Sequence, residues 1–332
     1  MKQNRLVKQV IKHLFHLVLL VLCVSFLSFL LLEVSPIDPV QAFVRSLGHN
    51  VPLEQKQRLI QKWGLDQPFM LRYLSWLKHF VLGDAGMSMV YERPVSQVIH
   101  EGFSSSFVVM FVAFILQGIV GVYLGIVSGV HENQRKDKAI LRYCMIMSST
   151  PSYWVAMLLI MLFGVWLKWL PYGFSSPIGV LESDVTILDR ISHMILPILT
   201  LVLVGVSDIT LHTREKVIEI MHADYIVYAK SRGLKGMDLI KRYGLKNVLL
   251  PAITIQFASF SGLFSGIVLI ETAFQYPGLG GISVKAGLSG DLPLLLAITV
   301  YSAVLVYIGN AIADVLYGVL DPRLKPSKGV QS

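Results

Sequence analysis

Charge is scarce in this chain. Asp, Glu, Lys and Arg make up 15% of its 332 residues, where a soluble domain carries about 25%. So few charged groups cannot coat a soluble globule of this size, which excludes the ordinary soluble-enzyme class. Cysteine is nearly absent. Only Cys23 and Cys144 occur, both inside apolar runs, which excludes a disulfide scaffold and makes each thiol a small packing group. There is no C-x-x-C. There is no H-E-x-x-H either, because His131-Glu132 lacks a second His four residues on. The pattern G-x-x-x-x-G-K-[ST] is missing, so the chain carries no P-loop of its own. Gly278-Leu279-Gly280-Gly281 is Gly-rich without the spacing or the strand–helix context. His49, His79, His100 and His193, with Met87 and Met89, show no tight ligand spacing and read as surface or packing residues. No catalytic residue, metal set or substrate-binding residue is assigned.

Long apolar runs are abundant. Hydrophobic residues reach 54%, with a mean hydropathy of +0.62. A helix needs roughly 20 apolar residues to cross a bilayer. Six segments qualify: 13–33, 104–130, 143–168, 191–213, 248–270 and 292–315. The fold class is therefore an all-α polytopic membrane protein with six transmembrane helices. The first segment follows Lys2, Arg5, Lys8 and Lys12 as a signal peptide would. Its apolar core is too long and no small-x-small site follows Leu32, so it reads as an uncleaved anchor.

Sidedness follows from Lys and Arg. Four lie in 1–12, four in 131–142, eight in 214–247 and three in 316–332, nineteen of the 29 in all. The alternate segments 34–103, 169–190 and 271–291, with Lys168 at the outer end of the third span, share the other ten, seven of them in 34–103. The positive-inside rule then places both termini in the cytoplasm. It also explains the net charge of +8 without nucleic acid.

The external segment 34–103 opens on Ser35-Pro36-Ile37-Asp38-Pro39, which is turn chemistry. Pro52 then leads a charged helical stretch through Trp63. From Gln67 to Leu82, the residues Phe69, Tyr73, Trp76, Leu77 and Phe80 form an apolar stripe of helical period. Such a helix either lies on the membrane surface or vestibule or caps the ends of the spans. Two glycine-rich patterns, Gly121-Gly125-Gly129 and Ala258-Gly262-Gly266, put small residues on one helix face, where backbones can approach. Pro151 and Pro197 can kink their helices. Asp208 is the lone acid inside a span, with Glu33, Glu271 and Asp314 just beyond span ends. These read as interfacial carboxylates, which argues against proton-driven transport.

The cytoplasmic segment 214–247 is long for a bundle connection and basic. Glu215 to Lys230 is expected as a helix ended by Gly233, and Asp238 to Tyr243 as a second ended by Gly244, with Pro251 starting the fifth span. A helix–Gly–helix elbow suits docking to a soluble partner; a solvated basic loop is the plainer reading.

The loop reads Ala223-Asp224-Tyr225-Ile226-Val227-Tyr228-Ala229-Lys230-Ser231-Arg232-Gly233-Leu234 and continues through Leu245-Lys246-Asn247-Val248-Leu249-Leu250-Pro251. It resembles the cytoplasmic coupling loop of ABC importer permeases, in particular the peptide/nickel family, first of two subunit types. Gly64-Leu65-Asp66-Gln67-Pro68, Pro151-Ser152-Tyr153-Trp154, Leu196-Pro197-Ile198-Leu199-Thr200, Glu271-Thr272-Ala273-Phe274, Tyr276-Pro277-Gly278-Leu279-Gly280 and Leu320-Asp321-Pro322-Arg323 match the same family. The similarity runs in order from about residue 5 to 325.

The resemblance implies a type I ABC importer-like permease of six spans, paired with a second, homologous permease subunit. Two cytoplasmic ATPases bind below, and an extracytoplasmic substrate-binding protein delivers cargo. Ala229 and Gly233 match the Ala-x-x-x-Gly core of the coupling motif, and Ala223, Asp224, Tyr225, Arg232 and Leu234 its surroundings. ATP and Mg are used by the partner ATPases, with no cofactor bound by this chain. The expected location is the bacterial inner membrane, and the expected cargo is nickel, free or chelated, or short peptides. Gln275-Tyr276 stands where a small residue followed by Trp is usual, and Leu292 where an aromatic is common, which leaves the cargo open. The competing reading is an ion-coupled secondary transporter or channel acting without ATPases.

Overall fold

A computed structural model of the chain describes residues 2–34, 40–41, 44, 52–62, 65–234 and 236–320. The expected turn at Ser35–Pro39, and the matches at Gly64 and Asp321-Pro322-Arg323, lie outside the described residues. The architecture is helical: α1 (Lys2–Val34), α2 (Leu53–Lys62), α3 (Phe69–Val81), α4 (Val95–Val130), α5 (Arg135–Ser149) and α6 (Ser152–Leu159) precede α7 (Ile187–Met221). Then come α8 (Asp224–Ser231), the short α9 (Met237–Leu239), α10 (Leu245–Ala258), α11 (Phe260–Ala273), α12 (Leu279–Ser289) and α13 (Leu292–Leu320). Four described helices are long and apolar enough to cross a membrane; two bent pairs raise the number to as many as six.

The apolar segment 143–168 is not one helix. α5 stops at Ser149, Pro151 opens α6, and a π-helical stretch, Ile160–Trp166, continues it. The two halves meet at 104°. Proline explains the break: it has no N–H to give the preceding turn and holds residue 150 extended. Pro197, by contrast, sits inside the continuous α7. The fifth apolar segment bends by 48° at Ser259, between α10 and α11.

The chain divides into two compact units. The first holds Met1–Ser106 and Pro277–Ile308. In it the aromatic stripe of α3 is used for packing: Phe69 and Tyr73 meet Phe26 and Phe29 of α1 edge-on, and the Tyr73 hydroxyl lies 3.1 Å from Ser25 Oγ. Arg72 pairs with Glu33. Asp291, fully buried, caps α13 by accepting the Leu294 N–H at 3.2 Å and also accepts from Ser88 Oγ and Val90 N–H. Asp291-Leu292-Pro293 thus has a structural cause in an N-cap.

The second unit holds Phe107–Tyr276 and Gly309–Ser332. Its core joins Val109, Met110 and Ala113 of α4 to Val155 and Leu159 of α6, Leu196 and Val206 of α7, and Ile267 and Ile270 of α11. Gly121, Gly125 and Gly129 do bring α4 against α7. A Cβ on them would fall 2.8, 2.5 and 2.6 Å from Ile209, Thr213 and Val217. The second small-residue pattern differs: a Cβ on Gly262 meets nothing within 4 Å. Buried side-chain amides find backbone partners, as an apolar interior demands: Gln117 donates to Leu201 O at 2.7 Å and Gln256 to Phe114 O at 2.6 Å.

Candidate functional site

Ala223, Asp224, Tyr225, Ala229, Arg232, Gly233 and Leu234 fall on one short helix and its two ends. The sequence pattern predicts one helix from Glu215 to Lys230, but the structure divides it. α7 ends at Met221, and Ala223 turns to extended backbone (φ −70°, ψ 145°) before α8. The reason lies in the apolar residues. On an unbroken helix Ile220 and Ile226 would point about 120° apart. The break lets both enter one cluster, with Ile126, Val217, Ala229, Leu239, Ile240 and Val248.

Ile226 and Ala229, three apart, make the inner face of α8 and are buried. A larger side chain at Ala229 would be forced into the cluster. Gly233 ends the helix with φ +91°, the left-handed conformation that glycine takes freely. Its N–H donates to Lys230 O at 2.9 Å, and Leu234 N–H to Ala229 O at 3.4 Å. Half-buried Leu234 then packs on the same cluster. A Cβ on Gly233 would meet nothing within 4 Å, so the backbone angle, and not crowding, calls for glycine.

The outer face is different. Asp224, Lys230, Ser231 and Arg232 are exposed, and so are Tyr225 (44%), Val227 (54%) and Tyr228 (66%). Val227 and Tyr228 were not singled out by sequence; the i, i+3 spacing of Ile226 and Ala229 was the available signal, once that face is known to point inward. Lys230 Nζ reaches back to Met221 O at 3.0 Å, meeting an open carbonyl at the end of α7. Asn247 Nδ2 donates to the Tyr225 hydroxyl at 3.4 Å.

Beyond Gly236, α9 passes through a π turn, Ile240–Gly244, straight into α10. Gly244 therefore does not end a helix, and Pro251 lies inside α10 rather than at its start. Gly244 is a close approach instead: a Cβ there would stand 3.0 Å from Ile240 Cδ1 and 3.3 Å from Ile220 Cγ2.

The other singled-out groups do not converge. Asp208 is exposed on α7 and makes no ion pair among the described residues. Glu33 is held by Arg72, and Glu271 is buried in α11. The side chain of Asp314 and all of His49 lie outside the described residues. His193 is buried, with Nδ1 2.7 Å from Gly173 O. No three His, Cys, Asp or Glu side chains gather as a metal set among the described residues.

α8 is anchored by its inner face and exposes aromatic and cationic side chains on the other. It sits on a bundle of long apolar helices, which defines the class: a polytopic membrane protein. The chain belongs to the family of binding-protein-dependent transport system inner membrane components, whose model matches residues 121–326. The N-terminal model of the same membrane components matches residues 6–91. It is an ABC importer permease of the peptide/nickel family and a multi-pass inner-membrane protein. Oligopeptide transport system permease protein AppB of Bacillus subtilis is 33% identical over 89% of this chain and 92% of its own length. Oligopeptide transport system permease protein OppB of Salmonella typhimurium is 33% identical over 83% and 87%. The Haemophilus influenzae OppB is 30% identical over 82% and 86%.

Proposed function

We propose that this chain is one of two permease subunits through which an ATP-driven importer moves short peptides across the bacterial inner membrane, and that α8 is where an ATPase docks. The carrying observation is the two-faced α8: Ile226 and Ala229 bury one side while Tyr225, Val227 and Tyr228 stand exposed on the other. Displacement of such a helix is passed to the bundle through its buried side, which is packed on α7. The partners are a second homologous permease, two ATPases and an extracytoplasmic binding protein. ATP and Mg belong to the ATPases, and this chain performs no catalysis. The relatives named as oligopeptide permeases favour peptides over nickel as cargo.

The test is uptake by the complete transporter, with labelled short peptide compared with labelled nickel, with and without the ATPases. Peptide uptake that needs the ATPases is expected. Nickel uptake unaffected by excess peptide would move the chain to the metal branch. Uptake persisting without the ATPases would overturn the importer reading in favour of ion-coupled transport.

A further inference from the structure

Asp137 was not distinguished by any sequence pattern, yet its side chain is 1% exposed and carries a full set of partners. Oδ1 accepts from Ser128 Oγ at 2.5 Å and from Arg214 Nε at 2.7 Å. Oδ2 accepts from the Asn133 N–H at 2.8 Å and from Arg214 Nη2 at 2.8 Å. The carboxylate and the guanidinium meet fork to fork, the strongest and most directional form of such a pair. These partners come from four places in the chain. Ser128 is on the last turn of α4, and Asn133 is in the turn after it, held at φ +62°. Asp137 is in the first turn of α5, and Arg214 is two turns before the end of α7.

Next to the pair, α4 and α7 already touch backbone to side chain, with the Cβ position of Gly129 2.6 Å from Val217 Cβ and 3.0 Å from Arg214 O. From Arg214 α7 runs on for seven residues to its end at Met221, and two residues then lead to α8. α5 leads to the 104° bend at Pro151, and its Tyr143 hydroxyl donates to Leu203 O of α7 at 2.7 Å. A buried ion pair costs desolvation that apolar packing would avoid, so its worth lies in fixing one arrangement.

We propose that Asp137 and Arg214 are positioning residues for transport: their pair ties α4, α5 and α7 into one lever, so that a displacement of α8 moves all three together. The proposal rests on α8 being the ATPase-docking element. Without the tie, α7 would follow α8 while α5 lagged, and ATP would be hydrolysed without a matching movement of cargo.

The experiment uses the whole transporter, assembled with its second permease and ATPases in proteoliposomes. ATP hydrolysed per peptide imported is measured per assembled complex. Asp137→Asn and Arg214→Lys are expected to raise that ratio at least tenfold while the ATPases stay bound. A tie with a purely structural role would lower the yield of complex and leave the ratio unchanged, which overturns the proposal. A second variant guards against misfolding. With Cys23→Ser and Cys144→Ala as background, Asp137→Cys with Arg214→Cys is expected to be uncoupled. Joining the two thiols with a short bifunctional thiol reagent is expected to return the ratio to within about threefold of the background. Confirmed cross-linking without that return overturns the lever. The two readings fail separately. If Gly233→Trp leaves coupling intact, the docking role of α8 falls. If Gly233→Trp uncouples and Asp137→Asn does not, only the lever falls.

Discussion

Gly233 answers to two constraints that substitution separates. Its φ of +91° disfavours any side chain with a Cβ, at a cost of about 1–2 kcal/mol. The space where that Cβ would point is empty, so size alone produces no clash within the chain. Gly233→Asn, which tolerates the left-handed region, is expected to keep α8 and much of the transport. Gly233→Trp adds bulk on the side proposed for docking and is expected to abolish transport. It should detach the ATPases or let them hydrolyse without import, with the amount of permease in the membrane unchanged. Membrane yield, ATPase co-purification and uptake decide between these outcomes; normal uptake by Gly233→Trp would refute the docking role. Ala229 is the counterpart with the opposite cause. It is small because it is buried, so Ala229→Leu should fail through overpacking of the cluster, by about 1–3 kcal/mol, and lower the membrane yield as well.

At the scale of elements, α3 places an amphipathic helix against α1. Ser25 lies seven residues, about 10 Å, inside the end of the 13–32 apolar stretch, and the Tyr73 hydroxyl meets it there. Arg72 reaches back toward Glu33 at the stretch's end, as a long cation does when its stem is in apolar surroundings. Met70 and Leu74, on the flank of α3 away from α1, are about half exposed. A spin label at Leu74→Cys is therefore expected to collide more with oxygen than with a water-soluble nickel chelate, and a label at Lys78→Cys the reverse. Equal collision profiles would place α3 clear of the bilayer. The period of this helix was legible because five apolar residues repeat over three turns. Its partner was not, since α1 is apolar all round and any face of it would serve. The same limit hid the break at Ala223. The sequence is full of helix formers there, and only the three-dimensional cluster of Ile220 with Ile226 requires the turn. Asp137 was invisible for a related reason, as one acid among Lys136, Lys138 and Arg142 looks like a solvated charge run until the fold brings Arg214 to it.

For the whole molecule the number of crossings decides on which side α8 lies. If only the four long helices cross, α7 carries the chain outward and the basic segment after it emerges outside. If each bent pair also crosses, there are six passages and α8 faces the cytoplasm. α6 with its π-helical extension spans only about 22 Å, short of the roughly 30 Å of a hydrocarbon core, so its passage needs the apolar half of α5 beyond the bend. The eight Lys and Arg of 214–247 favour the cytoplasmic side. Tyr228, 66% exposed on the outer face of α8, is the position to probe. In a background of Cys23→Ser and Cys144→Ala, Tyr228→Cys is expected to react with a membrane-impermeant maleimide in inside-out vesicles and not in right-side-out ones. Bound ATPases should protect it if α8 is their docking site. Labelling from the outside would mean four crossings, and no cytoplasmic ATPase could then reach α8.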